Sequence, residues 1–220
     1  MRKFVALFLA TVMCLSLTAC GGGKDKKAFE VSKEAYDLVN SAYEITESYG
    51  SDIYEAWRLG IYEDDEVIDG GCSYLAGELS LSEDEIAIGV AYALGEEWEN
   101  ISEDEIDNYI AAADLTFSIM EDNLFSWCVA VVSDAYVANG KVDEAQGYID
   151  EAKSLMKELS ESYSDYEHYP SLKGYYTTTS SYFDFCQNPT GSFEQLKTTI
   201  ENYRTEARDY KAELDYIFED

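Results

Sequence analysis

The chain has 220 residues and carries 45 acidic against 15 basic side chains, which gives a formal net charge of −30. This charge argues against nucleic acid as a partner, because such binding depends on Lys and Arg neutralising phosphates, and it disfavours contact of the folded domain with an anionic membrane surface. Two prolines and 14 glycines are too few for the tight turns of a β-sandwich, and 46% apolar residues argue against disorder.

The chain begins with the pattern of an export signal. Two basic residues precede an apolar run that is too short to span a bilayer comfortably. The run ends in Leu17-Thr18-Ala19-Cys20, which resembles the lipobox of bacterial lipoproteins. The resemblance implies that residues 1–19 are a cleaved signal peptide and that Cys20 carries acyl chains, which anchor the protein to the outer face of the cell membrane. A secretory signal with ordinary cleavage, or an uncleaved anchor helix, is the alternative.

Residues 20–28 are predicted to be a flexible lipidated tether, and residues 29–220 to be one all-α domain. Apolar residues recur through this domain at steps of three and four, which is the period of a helix with one buried face. The longest helices are predicted at 29–59, 103–139, 141–163 and 192–218. The expected architecture is an elongated antiparallel helical bundle, or a more open helix-hairpin array, of five to seven helices.

The segment 102–140 is predicted to contain the central helix, because its apolar stripe widens to nearly the whole circumference near Trp127. The pattern Ser-Glu-Asp-Glu-Ile occurs at its start, from Ser102, and 20 residues earlier, from Ser82. In both copies Ser and the Glu three residues later can cap the helix reciprocally. We interpret the repeat as helix capping, since it lacks the alternating ligands and the glycine of a calcium-binding loop.

A helical hairpin is predicted around the Asn139-Gly140 turn, where glycine favours a left-handed helix end. Tyr136, Gly140, Ala145 and Ala152 follow the order of aromatic and small positions in a tetratricopeptide repeat. The hairpin resembles one such repeat, which implies two closely packed helices. The pattern does not recur at the required period, and a generic antiparallel hairpin explains the same residues.

The sequence shows no catalytic set. His168 is the single histidine, and no nucleophile elbow, phosphate-binding glycine loop or dinucleotide fingerprint is present. Three cysteines fall within the domain, with spacings that fit neither a zinc site nor a disulfide framework. Cys128 is predicted to lie in the core. The sequence allows a disulfide bond between Cys72 and Cys186 but does not decide whether it forms. We therefore expect a protein that is not an enzyme and that uses no metal or cofactor.

The candidate ligand-binding residues are aromatic and flank a polar connection between two helices. They are Tyr163, Tyr166, His168, Tyr169, Tyr175 and Tyr176. Rigid rings beside acidic residues suit a surface that contacts hydroxyl groups or cations. Tyr175 and Tyr176 also continue an apolar helical stripe, so a core role is the alternative for these two.

The expected function is that of a non-enzymatic binding module for a cationic protein, a peptide or a glycan. High negative charge favours a basic partner. A structural surface spacer, or a solute-binding component of a transport system, is the alternative.

Overall fold

The computed structural model describes residues 22–95, 106–120 and 123–218. These residues form helices and no β-strand, so the domain is all-α, as the periodicity predicts. None of the described helices is both long and apolar enough to cross a membrane. In chain order they are α1 (Gly22–Tyr62), α2 (Asp64–Glu78), α3 (Glu83–Ala93), α4 (Ile106–Ile119), α5 (Leu124–Ala138), α6 (Lys141–Ser162), α7 (Tyr169–Gln187) and α8 (Phe193–Phe218).

The eight helices among the described residues exceed the five to seven predicted, because the predicted central helix is divided into α4 and α5. α4 ends at Ile119, and Asn123, which precedes α5, has φ −135° and ψ 28°, outside the helical region. The two helices pack differently: α4 contacts α2 and α3, whereas α5 contacts α1 and α3. Both bury the same kind of apolar stripe, so the periodicity gave no sign of the break. The predicted helix start at Ser102 lies outside the described residues.

α1, and not the segment predicted to be central, is the helix that the others surround. It packs against α2, α5, α6, α7 and α8. Its 41 residues correspond to about 60 Å of helical rise. It begins at Gly22, within the segment predicted to be a flexible tether. Its buried apolar side chains recur at three- and four-residue steps over most of its length: Ala28, Val31, Ala35, Val39, Ala42, Tyr49, Ile53, Ala56 and Leu59.

Two glycines are required by the fold, Gly50 because a neighbouring helix packs closely against it and Gly71 because of its backbone conformation. Gly50 continues α1 without a break, and Tyr182 of α7 packs against it so closely that an added Cβ would lie 2.1 Å from the phenol oxygen. Gly71 instead has φ +50° and ψ −132°, which interrupts the regular geometry of α2. Glycine adopts this positive φ without the steric penalty that other residues meet.

The predicted capping box at Ser82 is present, and a second capping box begins α8. Ser82 precedes α3 and accepts a hydrogen bond from the backbone of Glu85, whose carboxylate accepts the Ser82 backbone N–H at 2.9 Å. Ser192 and Gln195 form the same reciprocal pair at the start of α8. Pro170 lies in the first turn of α7, where its missing N–H removes no helical hydrogen bond.

The predicted hairpin consists of α5 and α6, with Gly140 at φ +80° between them. Both helices pack more extensively on α1 than on each other. Ala145 lies in a small apolar cluster with Ala42 of α1, Ile149 and Phe183. The small residues of this hairpin therefore allow α6 to approach α1.

All three cysteines of the domain are buried and free. Cys128 has no exposed surface, which confirms its predicted position in the core. Cys72 in α2 and Cys186 in α7 are equally buried and are not joined by a disulfide. Their packing role is that of small apolar side chains.

Candidate functional site

An open pocket of about 410 Å³ lies between α1 and the first turns of α6, and we call it the α1–α6 pocket. Its volume falls within the range of small-molecule sites. α1 contributes four lining residues, which lie on two successive helical turns: Ser41, Glu44, Ile45 and Ser48. α6 contributes Lys141, Glu144 and Tyr148. The remaining lining residues, Ser80 after α2 and Tyr136 near the end of α5, complete it.

A buried carboxylate, Asp52, supports two of these lining residues from behind. Asp52 is only 4% exposed to solvent. The Tyr136 phenol donates to Asp52 Oδ2 at 2.9 Å, and the Ser80 hydroxyl donates to the same oxygen at 2.5 Å. The Ser80 backbone N–H donates to Asp52 Oδ1 at 3.0 Å. Because a buried charge requires hydrogen-bond partners, this arrangement fixes the Ser80 hydroxyl at the pocket and the fully buried Tyr136 phenol behind it.

Tyr136 is held on its ring as well as at its hydroxyl. Its ring stacks on that of Tyr49, with centroids 4.4 Å apart and an interplanar angle of 22°. Burial, and then the carboxylate of Asp52, raise the pKa of Tyr136 well above its ordinary value of 10.0. The phenol is therefore protonated at all physiological pH values and remains a donor to Asp52.

Lys141 places a positive charge at the edge of this ring. Its Nζ lies 5.1 Å from the Tyr136 centroid and 3.6 Å from a carboxylate oxygen of Glu85. Asn139 donates to the same oxygen of Glu85 at 2.9 Å. Burial by itself would raise the pKa of Glu85, but hydrogen bonds from Ser82 and Asn139, together with the charge of Lys141, hold it below its ordinary value. Glu85 thus stays ionised and pairs with Lys141.

Two glutamates flank the pocket, Glu144 on α6 and Glu44 on α1. Tyr148 donates to Glu144 Oε1 at 3.0 Å, and this hydrogen bond, followed by burial, raises the pKa of the phenol. On α1, Asn40 donates to Glu44 Oε1 at 3.1 Å. Both glutamates are exposed to solvent, so their carboxylates can contact a ligand that enters the pocket.

The predicted tyrosine site lies elsewhere, beside the beginning of α1. Tyr163 is 8% exposed, and Tyr166 and His168 are half-buried with rings in edge-to-face contact at 5.3 Å. Tyr163 and Tyr166 line a small pocket of about 30 Å³ together with Lys24 and Asp25 of α1. The structure therefore brings this part of the predicted set together, next to the part of the chain that follows Cys20.

The remaining predicted residues lie along α7. Tyr169 and Tyr176 are half-buried, and Tyr176 packs against the apolar cluster of Ala145. Tyr175 has no exposed surface, and its ring contacts those of Tyr36 and Tyr43 of α1. The alternative core role thus describes Tyr175, and the six residues do not form one continuous surface.

The α1–α6 pocket is not predicted by the sequence, although one signal for it is present. Asp52 interrupts the apolar stripe of α1 between Tyr49 and Ala56, and an acid in such a position is seldom buried without partners. The partners, Ser80 and Tyr136, are 28 and 84 residues away in the chain. No periodicity in the sequence connects them.

Comparisons with protein-family models, with curated proteins and with solved structures returned no match. Within the described residues, no group of His, Cys, Asp and Glu side chains is arranged to hold a metal ion. The geometry of the α1–α6 pocket therefore carries the functional inference.

Proposed function

We propose that this protein is a lipid-anchored, non-enzymatic binding module on the extracytoplasmic face of a bacterial membrane, and that it binds its ligand in the α1–α6 pocket. The export signal and the lipobox-like residues that end at Cys20 support the location. The observation that carries the binding function is the pocket itself, in which Asp52 holds the hydroxyls of Ser80 and Tyr136 in place.

The position of the pocket along α1 supports access from solution. Lys24 lies four residues after Cys20 and pairs with Asp165 of the tyrosine segment, residues 163–176, at 3.1 Å. With Cys20 acylated, this segment lies close to the membrane. Ser41 is 17 residues further along α1 than Lys24, which corresponds to about 25 Å of helical rise. In the elongated antiparallel bundle that we propose for the domain, the pocket is thus held away from the lipid surface.

Replacing Cys20 by Ala tests the location. The variant is expected to leave the membrane fraction, or to keep its signal peptide uncleaved, because no diacylglycerol can be attached. Cell fractionation and intact mass measurement read out both effects. Normal processing with unchanged membrane retention contradicts lipidation at Cys20.

A bulky residue at the mouth of the α1–α6 pocket tests the binding function. Ser48→Trp fills the pocket from α1, while Ser51→Trp, an exposed position on the same helix outside the lining, is the matched control. Ligands are selected from a library of short peptides, oligosaccharides and small polar compounds by thermal shift and confirmed by calorimetry. The Ser48→Trp variant is expected to lose binding, and the Ser51→Trp variant to retain it.

A spacer is the second candidate function, and the length of α1, about 60 Å, is the observation that favours it. A spacer requires no ligand in the α1–α6 pocket. If the library yields no binder, and Ser48→Trp leaves the cellular phenotype of the protein unchanged while shortening of α1 alters it, the spacer function replaces the binding function.

A further inference from the structure

We propose that the α1–α6 pocket recognises a primary ammonium group carried on a short carbon chain. This inference rests on the proposed binding function and specifies its ligand. The shared chemistry can come from a free diamine or from the lysine side chain of a peptide. Three features of the lining, namely its hydrogen-bond polarity, its charge and the position of Lys141, point to such a cation.

Three accessible hydroxyl groups of the lining, those of Ser41, Ser80 and Tyr148, offer a ligand oxygen acceptors, whereas Tyr136 has no exposed surface. Ser80 and Tyr136 both donate their protons to Asp52, Tyr148 donates to Glu144, and Ser41 donates to the backbone carbonyl of Asp37 at 3.0 Å. A hydroxyl whose proton is already committed offers only its oxygen lone pairs. Together with the carboxylates of Glu44 and Glu144, these acceptors favour a ligand that supplies donors, and an ammonium group supplies three of them without any acceptor.

The net charge of the lining favours the same ligand. Glu44 and Glu144 bring two negative charges to opposite sides of the pocket. Of the described lining residues, Lys141 alone is cationic, and its charge is already paired with Glu85 at 3.6 Å. Asp52 adds a further negative charge behind Ser80 and Tyr136. A cation gains from this field, whereas a carboxylate or phosphate is repelled by it.

Lys141 shows where a cation is accommodated in this pocket. Its ammonium group lies over the Tyr136 ring, 5.1 Å from the centroid, which is the geometry of a cation–π contact. The Lys141 ammonium group lies at the edge of the site that we propose for the ammonium group of the ligand. Because both groups are positively charged, Lys141 repels the ligand. Removing its charge is therefore expected to strengthen binding, which is opposite to the effect expected for an anionic ligand.

Three probes of equal chain length test the charge of the ligand: diaminopentane, pentanediol and glutarate. They are titrated by calorimetry into the full-length protein, purified from membranes in detergent. We expect diaminopentane to bind and the other two to bind at least about tenfold more weakly, because they lack the positive charge. A tripeptide with one central lysine and blocked ends then distinguishes a peptide side chain from a free diamine as the source of the ammonium group.

Four variants test whether the α1–α6 pocket is the place of binding. Glu144→Gln is expected to weaken diaminopentane about three- to tenfold, and Lys141→Met to strengthen it about two- to fivefold. Glu161→Gln removes the same charge near the other end of α6, about 25 Å away and beyond the screening length, and is expected to have no effect. Ser48→Trp is expected to abolish binding of diaminopentane.

The outcomes separate this inference from the function on which it rests. If pentanediol or glutarate binds as tightly as diaminopentane, or if Lys141→Met weakens binding, the ammonium ligand is wrong while the pocket remains a binding site. If Glu161→Gln acts as strongly as Glu144→Gln, the effect is one of overall charge and the inference is also wrong. If Ser48→Trp changes the binding of no probe, the pocket is not the site, and both proposals fail.

Discussion

The phenol of Tyr136 donates a hydrogen bond of 2.9 Å to Asp52, a residue 84 positions earlier in the chain. This contact joins α5 to α1 in the buried interior and sets the position of the Tyr136 ring in the α1–α6 pocket. The same carboxylate also accepts two hydrogen bonds from Ser80, so it connects three parts of the chain. Packing and the proposed binding site therefore depend on the same buried group.

Tyr136→Phe is expected to destabilise the fold by about 1.5–3 kcal/mol, the usual range for a lost hydrogen bond to a charged group. Asp52 keeps its two bonds from Ser80, so the variant is expected to fold. Tyr148→Phe, which removes a hydrogen bond to the exposed Glu144, is the matched control and is expected to change stability by less than about 0.5 kcal/mol. Urea denaturation followed by circular dichroism measures both; equal effects would contradict a special role for Asp52.

Gly50→Ala is expected to destabilise the protein, although alanine is the better helix former. The new Cβ would lie 2.1 Å from the hydroxyl oxygen of Tyr182, and the resulting overpacking costs about 1–3 kcal/mol. The control is Gly147→Ala in α6, where an added Cβ has no neighbour within 4 Å. That substitution is expected to stabilise by about 0.5–1 kcal/mol, through helix propensity alone. The two variants should thus shift the denaturation midpoint in opposite directions, and a stabilising Gly50→Ala would show that α7 does not pack on α1 as described.

The three cysteines of the domain are expected to resist alkylation in the native state. Burial raises the pKa of Cys128 to about 12, and it raises the pKa of Cys72 and Cys186 well above their ordinary value. Thiolate, the reactive form, is therefore scarce, and reagents cannot reach the sulfur. Mass mapping of iodoacetamide adducts should find these sites unmodified until the protein is unfolded in guanidinium. Rapid native labelling of any one of them would show that its helix is not packed as the structure has it.

Glu85 is expected to contribute to the acid sensitivity of the fold. Burial opposes its ionisation, but hydrogen bonds from Ser82 and Asn139 and the charge of Lys141 place its folded pKa below the ordinary value of 4.5. A lowered folded pKa gives stability that is fully present above the unfolded value and is lost as the pH falls through the folded value. Glu85→Gln should therefore lose less stability than the unaltered protein between about pH 6 and pH 3.

Glu30→Gln is the control for this measurement, because Glu30 pairs with Lys26 on the exposed surface of α1 at 3.8 Å. Exposed pairs of this kind contribute little to stability. Denaturation midpoints are compared across the pH series for the three proteins. A Glu85→Gln curve parallel to that of the unaltered protein would exclude a role for this carboxylate.

The sequence alone determined the helical class and much of its local detail, because these depend on nearby residues. The three- and four-residue steps predicted the buried faces of α1 and α8, and the capping box at Ser82 predicted where α3 begins. The positive φ of Gly140 follows from its place after Asn139 at a helix end. Capping and amphipathicity are properties of a single segment, and they can be read without knowing its neighbours.

The tertiary structure decided what each apolar face packs against, and with it the pocket. An apolar stripe records burial but not the identity of the partner, so the sequence could not show that α1 is the central helix or that α4 and α5 separate. The sequence around Tyr175 fits a surface aromatic cluster and a buried apolar stripe equally well. Packing against α1 is what places Tyr175 in the core. Asp52, Ser80 and Tyr136 meet only because α1, α5 and the connection between α2 and α3 converge, since hydrogen bonds across 28 and 84 residues leave no periodic trace in the chain.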